Sequence, residues 1–140
     1  GAGGGVDNAF WCPLDKSTDL QWCGLPTSPP AQVRHGHTLV AVDEFVIMFG
    51  GFVYEEVGYE SWGSDDGSAY VLDANMPRLA WQSVGSSMES PVARHFHSAV
   101  VMQNSMIIFG GTTVTFSQED LSSPWMLSLT SLAWEKIAVG

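Results

Sequence analysis

Phe45-Val46-Ile47-Met48-Phe49-Gly50-Gly51 returns sixty positions later as Ser105-Met106-Ile107-Ile108-Phe109-Gly110-Gly111, an apolar run closed each time by two glycines. The same interval separates Arg34-His35-Gly36-His37-Thr38 from Arg94-His95-Phe96-His97-Ser98, which precede the two runs. Downstream, each copy reaches a Leu-Ala-Trp triplet, Leu79-Ala80-Trp81 and Leu132-Ala133-Trp134. Three matched landmarks in one order define a repeat.

The runs are too short for a membrane helix and rich in β-branched and aromatic residues, which makes them strands. Continuous rather than alternating hydrophobicity implies that both faces are dry. Paired glycines at a strand end suit a positive φ or a close approach by a neighbour. Trp81 and Trp134 have the size to wedge between packed sheets. Short apolar strands and turns at this period point to propeller blades.

The order Arg-x-x-His, apolar run, Gly-Gly, aromatic-rich strand and Trp resembles the kelch motif over about residues 34–84 and 94–137. The resemblance implies an all-β fold, part of a kelch-type β-propeller with four-stranded antiparallel blades. Blade one is expected at 34–84, with strands a, b, c and d at 35–42, 45–49, 68–73 and 80–84. Blade two is expected at 94–139, with strands at 95–102, 106–109, 125–129 and 133–139. Residues 1–23 close with what reads as the last two strands of a preceding blade. Propellers close with roughly 4–8 blades, so two and a half blades in 140 residues read as one incomplete propeller domain. The remaining blades are expected from the same longer protein, because open blade edges leave strands and apolar faces uncovered.

Composition narrows the partners. Net charge is −10, with five Lys plus Arg against fifteen Asp plus Glu, so the chain offers little to a phosphate backbone or an acidic membrane. No apolar stretch approaches the roughly 20 residues of a transmembrane helix. Cys12 and Cys23 face each other if the intervening turn centres between Ser17 and Thr18, which would suit a disulfide. The other reading is two reduced core thiols. A bridge would imply an oxidising compartment, hence an extracellular or secretory location, with a cytoplasmic one as the alternative.

Candidate chemistry is sparse. His35 with His37, and His95 with His97, each lie two apart on a strand and share a face. They would make a metal site only if the blades brought those faces together; the favoured reading is ring nitrogens bonded to backbone in an inter-blade seam. Arg34 and Arg94 stand near the channel mouth, able to hold an acidic ligand or to tie strand ends through their forked donors. The long connection at 52–67 carries Tyr54, Glu55, Glu56, Tyr59, Glu60, Trp62, Asp65 and Asp66, aromatics interleaved with acids that suit a basic or sugar-like partner. Asp65-Asp66-Gly67 falls far short of a calcium cage. No nucleophile elbow, phosphate loop or HExxH is present, and no cofactor or metal is expected. The chain reads as a non-enzymatic protein- or glycan-binding scaffold acting through the face where b–c and d–a connections emerge. The alternatives are a fragment of a kelch-like propeller metalloenzyme with its active site elsewhere, and a structural subunit of a large assembly.

Overall fold

The computed structural model describes residues 9–11, 23–25, 33–57, 60–84, 89–114 and 121–138, those at 9–11, 23–25, 55–57 and 60–62 through their backbone alone. The described residues form strands and turns without a helix. In chain order the strands are β1 (Ala9–Trp11), β2 (Cys23–Leu25), β3 (Arg34–His35), β4 (Thr38–Val42), β5 (Phe45–Phe49), β6 (Phe52–Val57) and β7 (Glu60–Asp65). They continue with β8 (Ala69–Asp73), β9 (Gln82–Ser83), β10 (Ser98–Met102), β11 (Ser105–Phe109), β12 (Trp125–Ser128) and β13 (Ala133–Lys136).

Two antiparallel four-stranded sheets follow the repeat, β4-β5-β8-β9 and β10-β11-β12-β13. Their registers are copies: Val40 pairs with Ile47 where Val100 pairs with Ile107. Each first hairpin turns through two residues, the first left-handed, with φ 50° at Asp43 and 53° at Gln103. An Asp tolerates that backbone better than most side chains. The glycine pairs also meet their expectation, with φ of 66° and 98° at Gly50 and Gly51, and 74° and 93° at Gly110 and Gly111. At Gly51 an added Cβ would lie 2.9 Å from the Cβ of His37; at Gly111 it would lie 3.0 Å from that of His97. Both glycines therefore answer a left-handed backbone and a close approach at once.

Several strand limits differ from the sequence reading. The expected strand at 35–42 is broken at Gly36, whose φ of 67° interrupts the ladder, and β4 starts at Thr38. Blade two repeats the break, so β10 starts at Ser98. The fourth strand of blade one shrinks to Gln82–Ser83. The larger correction concerns 52–67, expected as a loop. It holds the β6–β7 hairpin, in register from Phe52↔Asp65 to Val57↔Glu60, and β3 pairs on its other side through Arg34↔Val53 and His35↔Phe52. Among the described residues, blade two shows the first link of this extra sheet, the isolated bridge His95↔Thr112.

The core lies between the blades. Ile47 and Phe49 of β5 pack with Met106, Ile108, Trp125, Leu127 and Trp134 of blade two in one buried cluster. Phe49 meets the Trp134 ring edge-on at 4.9 Å and the His97 ring at 5.2 Å. Trp134 is thus the wedge its size suggested. Polar links run along the seam: Gly51 N–H donates to Arg94 O at 2.9 Å, and Phe96 N–H to Gly36 O at 2.8 Å.

β1 and β2 do pair antiparallel, with Trp11 opposite Cys23. The disulfide expectation needed Cys12 in that place. The described register is therefore one residue away from the expected one. Cys12 itself lies outside the described residues, and the described register does not support the disulfide.

Candidate functional site

The two arginines hold the blades' glycine corners. Arg34 Nη1 donates to Gly50 O at 2.9 Å and pairs with Asp66 Oδ2 at 2.8 Å, with its guanidinium 5.2 Å from the Tyr70 ring centroid. Arg94 is wholly buried. It donates to Val92 O and Gly110 O at 3.0 Å and to Leu121 O at 3.3 Å. The bonds to Gly50 O and Gly110 O occupy equivalent places in the repeat. A planar fork suits this role because it satisfies several carbonyls from fixed directions.

Asp65 and Asp66 also turn inward. Asp66 accepts from Ser68 N–H at 2.7 Å and from the Tyr70 hydroxyl at 3.2 Å, closing a network around Arg34. Asp65 engages the ring Nδ1 of His95 through Oδ1 and accepts from Val114 N–H through Oδ2 at 2.6 Å, clamping blade one's hairpin to blade two. These four residues are therefore committed to joints. Glu55, Glu56, Glu60 and Trp62 lie on β6 and β7. Tyr59 lies outside the described residues.

The histidines separate by role. His97 is buried, with Nε2 and Thr38 Oγ1 2.7 Å apart. Its pKa falls to about 4, through burial first and then the Arg94, His37 and His95 charges. His37 is lowered too, by burial and then Arg34. A neutral His97 ring fits a seam where an imidazolium would lack water, whereas His37 stays exposed. The sequence reading expected ring nitrogens bonded to backbone; the seam bonds of His97 and His95 run instead to the side chains of Thr38 and Asp65.

His35 and His95 do meet, at 6.2 Å between centroids, inside a cluster that no sequence argument assembled. His35 contacts Phe52 at 5.3 Å, Tyr54 at 5.5 Å and Phe96 at 5.8 Å. Phe52 contacts Tyr54 at 5.0 Å, and Phe96 contacts His95 at 4.9 Å. Phe96 is 66% exposed and Tyr54 51% exposed, so five rings form a ledge at the end of the blades where the b–c and d–a connections emerge. Phe96 is left-handed, φ 55°, at the position blade one gives to Gly36. Phe96 was missed by the sequence reading, although aligning the repeats sets it beside Gly36. The β6–β7 hairpin also had a signal: Gly58-Tyr59 is a two-residue, glycine-first connection of the kind hairpins favour.

Residues 2–140 match the family model described as the KLHDC2/KLHL20/DRC7 Kelch-repeats domain. The leucine-zipper-like transcriptional regulator 1 homolog of Drosophila melanogaster is 35% identical over 91 residues, covering 64% of this chain and 8% of that protein. Kelch domain-containing protein 3 of Bos taurus is 30% identical over 108 residues, covering 69% of the chain and 25% of that protein. The dynein regulatory complex subunit 7 of Chlamydomonas reinhardtii is 28% identical over 106 residues, covering 74% and 8%. The chain thus spans a quarter or less of these relatives. A copper-bound fungal alcohol oxidase of the AA5 family superposes with a TM-score of 0.64 at 17% identity, over 96% of this chain and 28% of that one, which is a likeness of fold alone. With its paired blades, glycine corners and wedging tryptophan, the chain belongs to the kelch-repeat family.

Proposed function

We propose that this chain is part of a non-enzymatic, protein-binding propeller, whose b–c and d–a connection face docks its partner through the ledge of His35, Phe52, Tyr54, His95 and Phe96. One observation carries the reading: Phe96 is an exposed aromatic on a left-handed backbone, a combination that stability alone does not favour. Large exposed aromatics on rigid supports are the residues that dominate interface energies. A rigid support is present, because the clamps through Arg34, Arg94 and Asp65 tie the ledge to both blades.

The two blades, 34–84 and 94–139, together with the strand pair before them, are read as pieces of one larger propeller. Relatives named as a transcriptional regulator and as a dynein regulatory complex subunit favour a partner protein over a glycan. They also favour an intracellular setting over the extracellular one that the cysteines suggested. The test uses the full-length protein and a partner identified by co-purification, rebuilt from purified components. Tyr54→Ala should weaken binding about tenfold. Ser131→Ala, on an exposed turn at the opposite end of blade two, should leave it unchanged. Equal effects of the two substitutions would reject the face.

A further inference from the structure

We infer that the ledge is a receptor for cationic side chains, taking an arginine or lysine from a basic segment of the partner protein. The inference rests on the proposed docking face and names what that face selects. Its first support is the aromatic geometry. His35 sits between two exposed aromatic residues, 5.5 Å from the Tyr54 ring and 5.8 Å from the Phe96 ring. A cation over the face of an aromatic ring is attracted by its quadrupole. Such a contact is already present among the described residues, between Arg34 and Tyr70.

The second support is charge. The chain carries fifteen Asp plus Glu against five Lys plus Arg, and two of those five, Arg34 and Arg94, lie inside the blade corners. Glu55 and Glu56 follow Tyr54 directly along β6, and Glu60 opens β7 opposite Val57. Acidic residues that directly follow the ledge's own Tyr54 in the chain complement a cation and disfavour an acidic segment, so they provide selectivity as well as attraction.

Third, the ledge is built to persist without a ligand. Asp65 fixes the His95 ring, His95 stacks edge-on against Phe96, and Phe52 covers Gly63. Phe96 in turn lies over Gly36, where an added Cβ would come within 3.0 Å of Phe96 Cδ1. Such preorganisation lowers the cost of ordering on binding.

The experiment pans a short random-peptide library against the full-length protein and tests the winners by fluorescence anisotropy. Phe96→Gly is the informative variant, because glycine accepts the left-handed backbone and the substitution removes only the ring. The expected result is enrichment of Arg- or Lys-bearing peptides, affinity falling as salt rises, and a loss of about tenfold in Phe96→Gly with unchanged or higher Tm. Enriched neutral or acidic peptides that still require Phe96 would overturn the cation inference and leave the docking face standing. Peptides indifferent to Phe96→Gly and Tyr54→Ala, or no enrichment at all, would overturn both. A parallel glycan array that gave Phe96-dependent binding would overturn the protein partner in favour of a sugar.

Discussion

His97 shows how one side chain can make a seam between blades depend on pH. Its ring is neutral in the folded protein because protonation would place a charge among Phe49, Gly50 and the Arg94 guanidinium. The folded pKa of about 4 lies below the ordinary histidine value near 6.5. The unfolded chain therefore binds the proton first as pH falls, and stability drops between about pH 6.5 and 4. His37 adds to the same slope in the same direction. Urea midpoints across this window should fall by an amount worth up to a few kcal/mol, and His97→Gln should flatten the profile while leaving the His37 share. Arg94 is a second residue-scale case. Arg94→Lys keeps the charge but breaks the fork to three carbonyls, and should cost about 1–3 kcal/mol by denaturation. The repeated Arg-His-x-His phrase made both residues visible in sequence. Their partners were not visible, since Thr38, Gly110 and Leu121 converge on them only through folding.

At the scale of elements, the blades were legible and the added sheet was not. Phe45–Phe49 and its copy announce strands because continuous apolar runs need two dry faces, and the observed limits of β5 match that reading. In 52–57 the apolar signal stops after Tyr54 at two glutamates, so hydrophobic pattern alone reads loop. What holds β6 and β7 is backbone pairing with β3 plus ring packing, above all Phe52 lying over Gly63. An aromatic covering a strand glycine supplies contacts that the glycine lacks. Gly63→Ala places a methyl group in the Phe52 ring and should cost about 1–3 kcal/mol of local stability. Hydrogen exchange in the full-length protein should then rise across β6 and β7 and stay near wild type in β4, β5, β10 and β11. A uniform rise across all strands would mean that the hairpin is part of the blade core.

For the whole molecule, the sixty-residue repeat makes each blade a template for its neighbour, and the two copies of one phenylalanine measure what a neighbour contributes. Phe49 is fully buried against Trp134 and His97, whereas Phe109, its equivalent on β11, is 53% exposed. An added Cβ on Gly50 would lie 2.5 Å from Arg94 O, while one on Gly110 would meet nothing within 4 Å. Translating the first seam by one repeat gives the chemistry of a following blade: a carbonyl for Gly111 N–H, an imidazole for the Ser98 hydroxyl, and a ring wedge against Phe109. Stacked repeats draw stability from such interfaces roughly one neighbour at a time. Phe49→Ala should therefore cost about 3–5 kcal/mol in this segment and in the full-length protein alike. Phe109→Ala should be nearly silent in the 140-residue segment and as damaging as Phe49→Ala in the longer chain. Denaturation of the four proteins decides it: if Phe109→Ala is silent in the full-length protein too, blade two has no neighbour on that face, and the array stacks in some other way than by repetition of its first seam.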